Sequence, residues 1–290
     1  MAKPHGQLVK VNGRNMHIRQ MGTGDKIIVL LPGLNDPLPS VEYVPLMRDL
    51  SKKYTVCVIE YFGYGHSDPI DTARTNENYV QEIREGLTKA GLKPPYVLMP
   101  YSVSGIYAEY YASKFPEEIE GLVLLDSTTT IEIVAKEWIY TQDDITEMKS
   151  ELLSLTLPSE EEVKNDEEGI AYFTEHGYTK EEVIETSIIP NQIETILAQD
   201  IALSSCIFEV LTMQIPKEIP ILVFSSGLEE MEDESERVEY EKRRKDHINR
   251  LGESAKLVII ESSTHIDIAY HRAHRMIICK EIDKFLGHTE

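Results

Sequence analysis

Tyr101-Ser102-Val103-Ser104-Gly105 is the stretch whose reading decides the fold. It lies between an apolar run, Tyr96-Val97-Leu98-Met99, and a helical pattern, Ile106-Tyr107-Ala108-Glu109-Tyr110-Tyr111-Ala112. A serine on a tight strand-to-helix turn has its hydroxyl lifted above a sheet edge. There the helix N-terminus and the next backbone N–H can stabilise an oxyanion. A serine at such a place can also simply cap the helix that starts at Ser104. What favours chemistry is chain order, because candidate acids and a candidate histidine follow downstream.

Working outward, short apolar runs alternate with amphipathic stretches. Gln7–Val11 and Asn15–Arg19 alternate around Asn12-Gly13 and read as a hairpin. Ile27–Leu31 is continuously apolar and ends at Pro32-Gly33, as a strand buried on both faces would. The pattern then predicts a helix over 41–53, a strand over 55–60, a helix over 75–91, a strand over 95–99, a helix over 104–115 and a strand over 121–126. Buried strands alternating with helices predict an α/β fold: a mostly parallel sheet with helices on both faces.

The rhythm stops after Asp126. Residues 128–217 read as helical and acidic, with Glu160-Glu161-Glu162 and Asp166-Glu167-Glu168 marking solvated helix ends or loops. Enough apolar residues remain to give this insertion a buried face, and Trp138, Tyr140, Phe173, Phe208 and Met213 are candidates to wall a pocket. Strand and helix patterns resume with strands over 219–224 and 256–260 and helices over 232–251 and 268–286. The expected organisation is a core in two parts, 1–127 and 218–290, interrupted by a helical lid over 128–217.

Composition narrows the function classes. A chain of 290 residues with 41% hydrophobic content can bury a substantial core. The formal charge of −21, from 29 Lys+Arg against 50 Asp+Glu, argues against nucleic acid or an anionic membrane as partner. It mildly favours neutral or cationic small molecules. No stretch has the length of a membrane span and the first residues lack a signal-peptide core, so a cytoplasmic location is expected. Cys57, Cys206 and Cys279 are widely spaced, with no C-x-x-C pair, and suggest neither a disulfide framework nor a zinc site.

Four places together resemble the α/β-hydrolase family: Leu31-Pro32-Gly33-Leu34, the loop Phe62-Gly63-Tyr64-Gly65-His66-Ser67-Asp68, the serine turn, and Glu261-Ser262-Ser263-Thr264-His265. The run Gly121–Asp126 is similar to the sixth strand of such proteins. The resemblance covers most of 6–126 and 217–287. The serine turn departs from the usual G-x-S-x-G: Pro100 holds the first glycine position and Ser104 the second. Pro100 fixes its own φ and removes a backbone donor, which suits only the last residue of a strand.

The resemblance implies a set of roles. Ser102 is the nucleophile, which needs a neighbouring base. His265, after the last strand, is that base, while His271 and His274 on the following helix read as surface residues. The orienting acid is expected near the end of the seventh strand, at Glu229, with Asp126 and Glu230 as alternatives. The backbone N–H groups of Leu34 and Val103 form the oxyanion hole, Gly33 giving the loop its freedom to turn. No metal and no cofactor are expected. The expected activity is hydrolysis of a small-molecule carboxylic ester. Amide or peptide cleavage on the same triad, and a non-catalytic ligand receptor, are the alternatives.

Overall fold

A computed structural model describes residues 5–190, 192–228, 231 and 233–287. The strands are β1 (Gln7–Val11), β2 (Arg14–Met21), β3 (Ile27–Leu31), β4 (Thr55–Ile59), β5 (Tyr96–Pro100), β6 (Ile119–Leu125), β7 (Ile221–Ser226) and β8 (Ala255–Ile260). They form one sheet in the order β1-β2-β4-β3-β5-β6-β7-β8. The β1–β2 hairpin is antiparallel and meets β4 antiparallel; every pairing from β4 to β8 is parallel.

The first half of the chain carries α1 (Pro39–Glu42), α2 (Val44–Leu50), α3 (Asn76–Lys89) and α4 (Ser104–Lys114). Six helices lie between β6 and β7: α5 (Glu132–Glu137), α6 (Gln142–Ser154), α7 (Glu160–Asn165), α8 (Glu167–Glu175), α9 (Lys180–Ile188) and α10 (Ile193–Leu211). α11 (Glu234–Leu251) and α12 (Arg272–Phe285) flank β8.

The sheet is buried from both sides, which is why β3 to β7 are nearly pure apolar runs. On β3, Val29 and Leu31 join one core layer with Tyr79 and Ile83 of α3 and Ile106 and Tyr107 of α4. Ile28 and Leu30 join the other, with Leu46 and Met47 of α2 and Ile278 and Ile282 of α12. Cys57 sits fully buried in β4, as a small core residue, and burial pushes its thiol far up. No helix among the described residues is long and apolar enough to cross a membrane.

Two boundaries differ from the sequence pattern, each for a local reason. The helix expected over 41–53 is two helices broken at Tyr43, because Pro45 opens α2 and has no N–H to carry the ladder through. The last helix begins at Arg272 instead of 268. Residues 264–271 form an isolated turn in which the Thr264 N–H donates to Asp267 Oδ1 (2.9 Å) and the Asp267 N–H to Thr264 Oγ1 (3.2 Å). Asp267 thereby closes the turn on itself, and its carbonyl accepts the N–H groups of Tyr270 and His271.

Candidate active site

The turn after β5 is pinned by the strands on either side of it. The Tyr101 N–H donates to Leu31 O of β3 (2.9 Å), and the Ser102 N–H donates to Leu125 O of β6 (3.3 Å). The chain then enters α4 at once, with the Ser104, Gly105 and Ile106 N–H groups bonded back to Tyr101, Ser102 and Val103. This leaves Ser102 with φ of 53°, a left-handed conformation that costs a non-glycine residue about 1–2 kcal/mol. The strain is held by packing. Gly105 lies so close to the segment after β6 that a Cβ there would stand 2.6 Å from Ser127 Cβ, and Thr128 N–H donates to Ser102 O (3.0 Å).

Both departures from the glycine pattern are accommodated. Pro100 is the last residue of β5, opposite Leu31, where its missing N–H removes no ladder bond needed by the turn. Its carbonyl accepts from Ser127 Oγ at 3.2 Å. Ser104 is fully buried; its hydroxyl donates to Pro32 O and meets Tyr61 Oη at 2.8 Å. The hydroxyl thus ties the serine turn to the loop after β3.

That loop brings Gly33 against the turn. A Cβ on Gly33 would lie 2.9 Å from the Tyr101 ring and 3.3 Å from Ser102 Cβ, so only glycine permits the approach. Asp36 holds the loop: its Oδ2 accepts the Gly33 N–H (2.6 Å) and the Tyr43 hydroxyl (2.5 Å). The N–H groups of Leu34 and Val103 donate to no protein acceptor among the described residues.

His265 follows β8 and reaches back to the end of β6. Its Nδ1 is 2.7 Å from Asp126 Oδ2. Asp126 Oδ1 accepts the Ser226 N–H (2.8 Å) and the Ser225 hydroxyl (3.3 Å), so both carboxylate oxygens are engaged. The Asp126 side chain is 1% exposed and that of His265 is 42% exposed. The His265 ring stacks on Tyr101, with centroids 4.9 Å apart and planes at 18°, and Tyr101 Oη donates to the His265 carbonyl (2.7 Å).

Among the described residues, Asp126, one of the alternatives for the acid, places its carboxylate on His265. Glu229 and Glu230 lie outside the described residues. A correction concerns His274, expected at the surface. It is 2% exposed, and its Nδ1 is 3.3 Å from Asp267 Oδ1.

Ser102, His265 and Leu34 line one cavity of about 400 Å³. Tyr101, Asp36, Glu42 and Tyr43 contribute from the sheet side, and Phe173, Tyr178, Val183, Thr186 and Ser187 from α8, α9 and the segment between them. Of the five pocket candidates in the insertion, only Phe173 is among these. Trp138 and Met213 pack on the core, Tyr140 Oη donates to Asp200 (3.3 Å), and Phe208 is solvent-exposed.

Burial raises the Asp36 carboxyl above its ordinary range, against hydrogen bonds from Tyr43 and Gly33. Burial, then the neighbouring Asp36 charge, raises that of Glu42 further.

Away from this cavity, His17, Glu60 and His66 bring one donor atom each within 4.8 Å of one another. Glu60 serves the surrounding backbone there, accepting the N–H groups of His66 (2.5 Å) and Ser40 (3.3 Å).

Comparison with known proteins agrees with this architecture. A family profile described as the alpha/beta hydrolase fold matches residues 26–156. The chain is 36% identical over 126 residues to the uncharacterized protein YbdG of Bacillus subtilis, covering 43% of this chain and 39% of that one. It is 33% identical over 119 residues to serine hydrolase BPHL of Homo sapiens, covering 40% of each. These matches thus span about two fifths of the relatives' own length. An esterase from Thermogutta terrifontis superposes with a TM-score of 0.65 at 15% identity, over 99% of this chain and 100% of that one. The chain is thus similar to the α/β-hydrolase family over residues 26–156 and shares its fold.

Proposed function

We propose that this protein is a serine hydrolase that cleaves a small-molecule carboxylic ester through an acyl-enzyme at Ser102. The observation that carries this reading is the convergence on one cavity of a strained serine and a histidine whose Nδ1 meets a buried carboxylate.

Asp126 accepts the His265 Nδ1–H and so makes Nε2 the basic nitrogen of the ring. Ser102 Oγ attacks the ester carbonyl as its proton passes to His265. The tetrahedral oxyanion is met by the Leu34 and Val103 N–H groups. His265 returns the proton to the departing alcohol. Water, deprotonated by His265, then attacks the acyl-enzyme and releases the carboxylic acid, with Ser102 recovering its proton. The helical segment 128–217 acts as a lid, closing the cavity with Phe173 and Tyr178 and excluding bulk water. The partner is a small molecule; the charge of −21 disfavours nucleic acid and anionic membranes.

The test is labelling with a fluorescent fluorophosphonate. Wild type should label, and Ser102→Ala and His265→Ala should not. A folded wild type that takes up no label would overturn the hydrolase reading and favour a ligand receptor.

A further inference from the structure

We infer that the cavity selects substrates carrying a positively charged nitrogen, with Glu42 and Asp36 as the groups that recognise it. This rests on the hydrolase reading above and adds to it the chemical class of the substrate.

Two carboxyls, Asp36 and Glu42, line the same cavity as Ser102 and His265, and no Lys or Arg does among the described residues. Neither carboxyl pairs with a Lys or Arg elsewhere among those residues. Asp36 belongs to the loop whose Gly33 packs on Ser102, and its carboxyl accepts the Gly33 N–H. Glu42 Oε1 accepts the Leu38 N–H at 3.3 Å, and its carbonyl accepts the Tyr178 hydroxyl. Each carboxyl keeps an oxygen, Oδ1 of Asp36 and Oε2 of Glu42, that accepts no hydrogen bond from the described residues.

Two half-desolvated acids with spare acceptors and no Lys or Arg partner suit an ammonium group. Each N–H can donate to a free oxygen, and the incoming charge relieves the repulsion between the acids. The rest of the wall is aromatic: Tyr43, Tyr101, Tyr178 and Phe173 offer ring faces and edges around such a cation. A substrate bearing a carboxylate or phosphate would meet two acids and no cation, so anionic acyl and leaving groups are rejected.

The experiment compares three benzyl esters at neutral pH: glycine benzyl ester, its neutral isostere benzyl propionate, and the anionic monobenzyl malonate. The expected order of kcat/KM is glycine, then propionate, then malonate, with the first exceeding the second by about tenfold or more. The ratio should collapse towards unity in Glu42→Gln, whose folding is checked by thermal melt. Propionate turned over as well as glycine ester would overturn the inference and leave the hydrolase reading intact. A second arm does not need turnover or a folded variant: calorimetry of the wild type with benzylammonium, benzyl alcohol and benzoate. Tighter binding of benzylammonium than of benzyl alcohol supports the inference even if no ester is cleaved. Equal or weaker binding than benzyl alcohol refutes it.

Discussion

His265 Nδ1 lies 2.7 Å from Asp126 Oδ2, across 139 residues of chain and two strand ends. A fully buried carboxylate bonded on its other oxygen by Ser226 and Ser225 is fixed in place, and it fixes the imidazole in turn. Asp126→Asn removes the charge while keeping the shape. It should lower kcat/KM for ester hydrolysis by about 10²–10⁴. Glu229→Gln should leave the rate near wild type. A large loss in Glu229→Gln with little in Asp126→Asn would reassign the acid.

The left-handed backbone at Ser102 predicts a trade between stability and activity. Ser102→Gly should abolish turnover and raise stability by about 1 kcal/mol, because glycine enters this φ without a Cβ penalty. Ser102→Ala keeps the Cβ and should abolish turnover without that gain. Urea midpoints at constant slope distinguish the two; identical midpoints would mean that the turn carries no such strain.

Glu60 should govern stability in acid. Burial alone would raise its carboxyl, but the imidazoles of His17 and His66 and the N–H groups of Ser40 and His66 lower it to about 2. A folded-state value below the unfolded value of about 4.5 gives a contribution fully present above that pH. It is lost as pH falls from about 4.5 to about 2, and amounts to roughly 3 kcal/mol. Glu60→Gln should therefore destabilise most at neutral pH, with the difference shrinking below about pH 4.5. A constant difference down to strong acid would count against this account.

Asp200 on α10 has the opposite sign. Burial pushes its carboxyl up to about 6, with Tyr140 Oη as hydrogen-bond donor. Because the folded state holds the proton more tightly, ionisation costs stability as pH rises from about 4 to about 6. Asp200→Asn should be neutral near pH 4 and stabilising above pH 6. After allowance for its partial exposure the gain is about 1 kcal/mol. Melting curves across that range decide it; destabilisation at neutral pH would point to a role for the charge.

The sequence by itself determined the frame of the protein. β3, β4, β5 and β6 were legible because strands buried on both faces must be apolar throughout, and the change from an apolar run to a helical pattern at Ser102 is a local signal. Ser102, Gly33 and His265 follow from that frame, since each sits at a strand end where a turn is required.

Tertiary structure decided what depends on which distant groups meet. Asp126 and His265 are 139 residues apart, and only the return of the chain after β8 over the end of β6 brings them within 2.7 Å. The cavity wall was equally hidden. Tyr178, Thr186 and Ser187 face the serine only because α9 docks against α1, where Tyr178 bonds the Glu42 carbonyl. No periodicity within one helix records the face that a neighbour distant in the chain will cover. Asp36 and Glu42 lie about 60 residues before Ser102, and only the fold places them, half stripped of water, in one cavity with it.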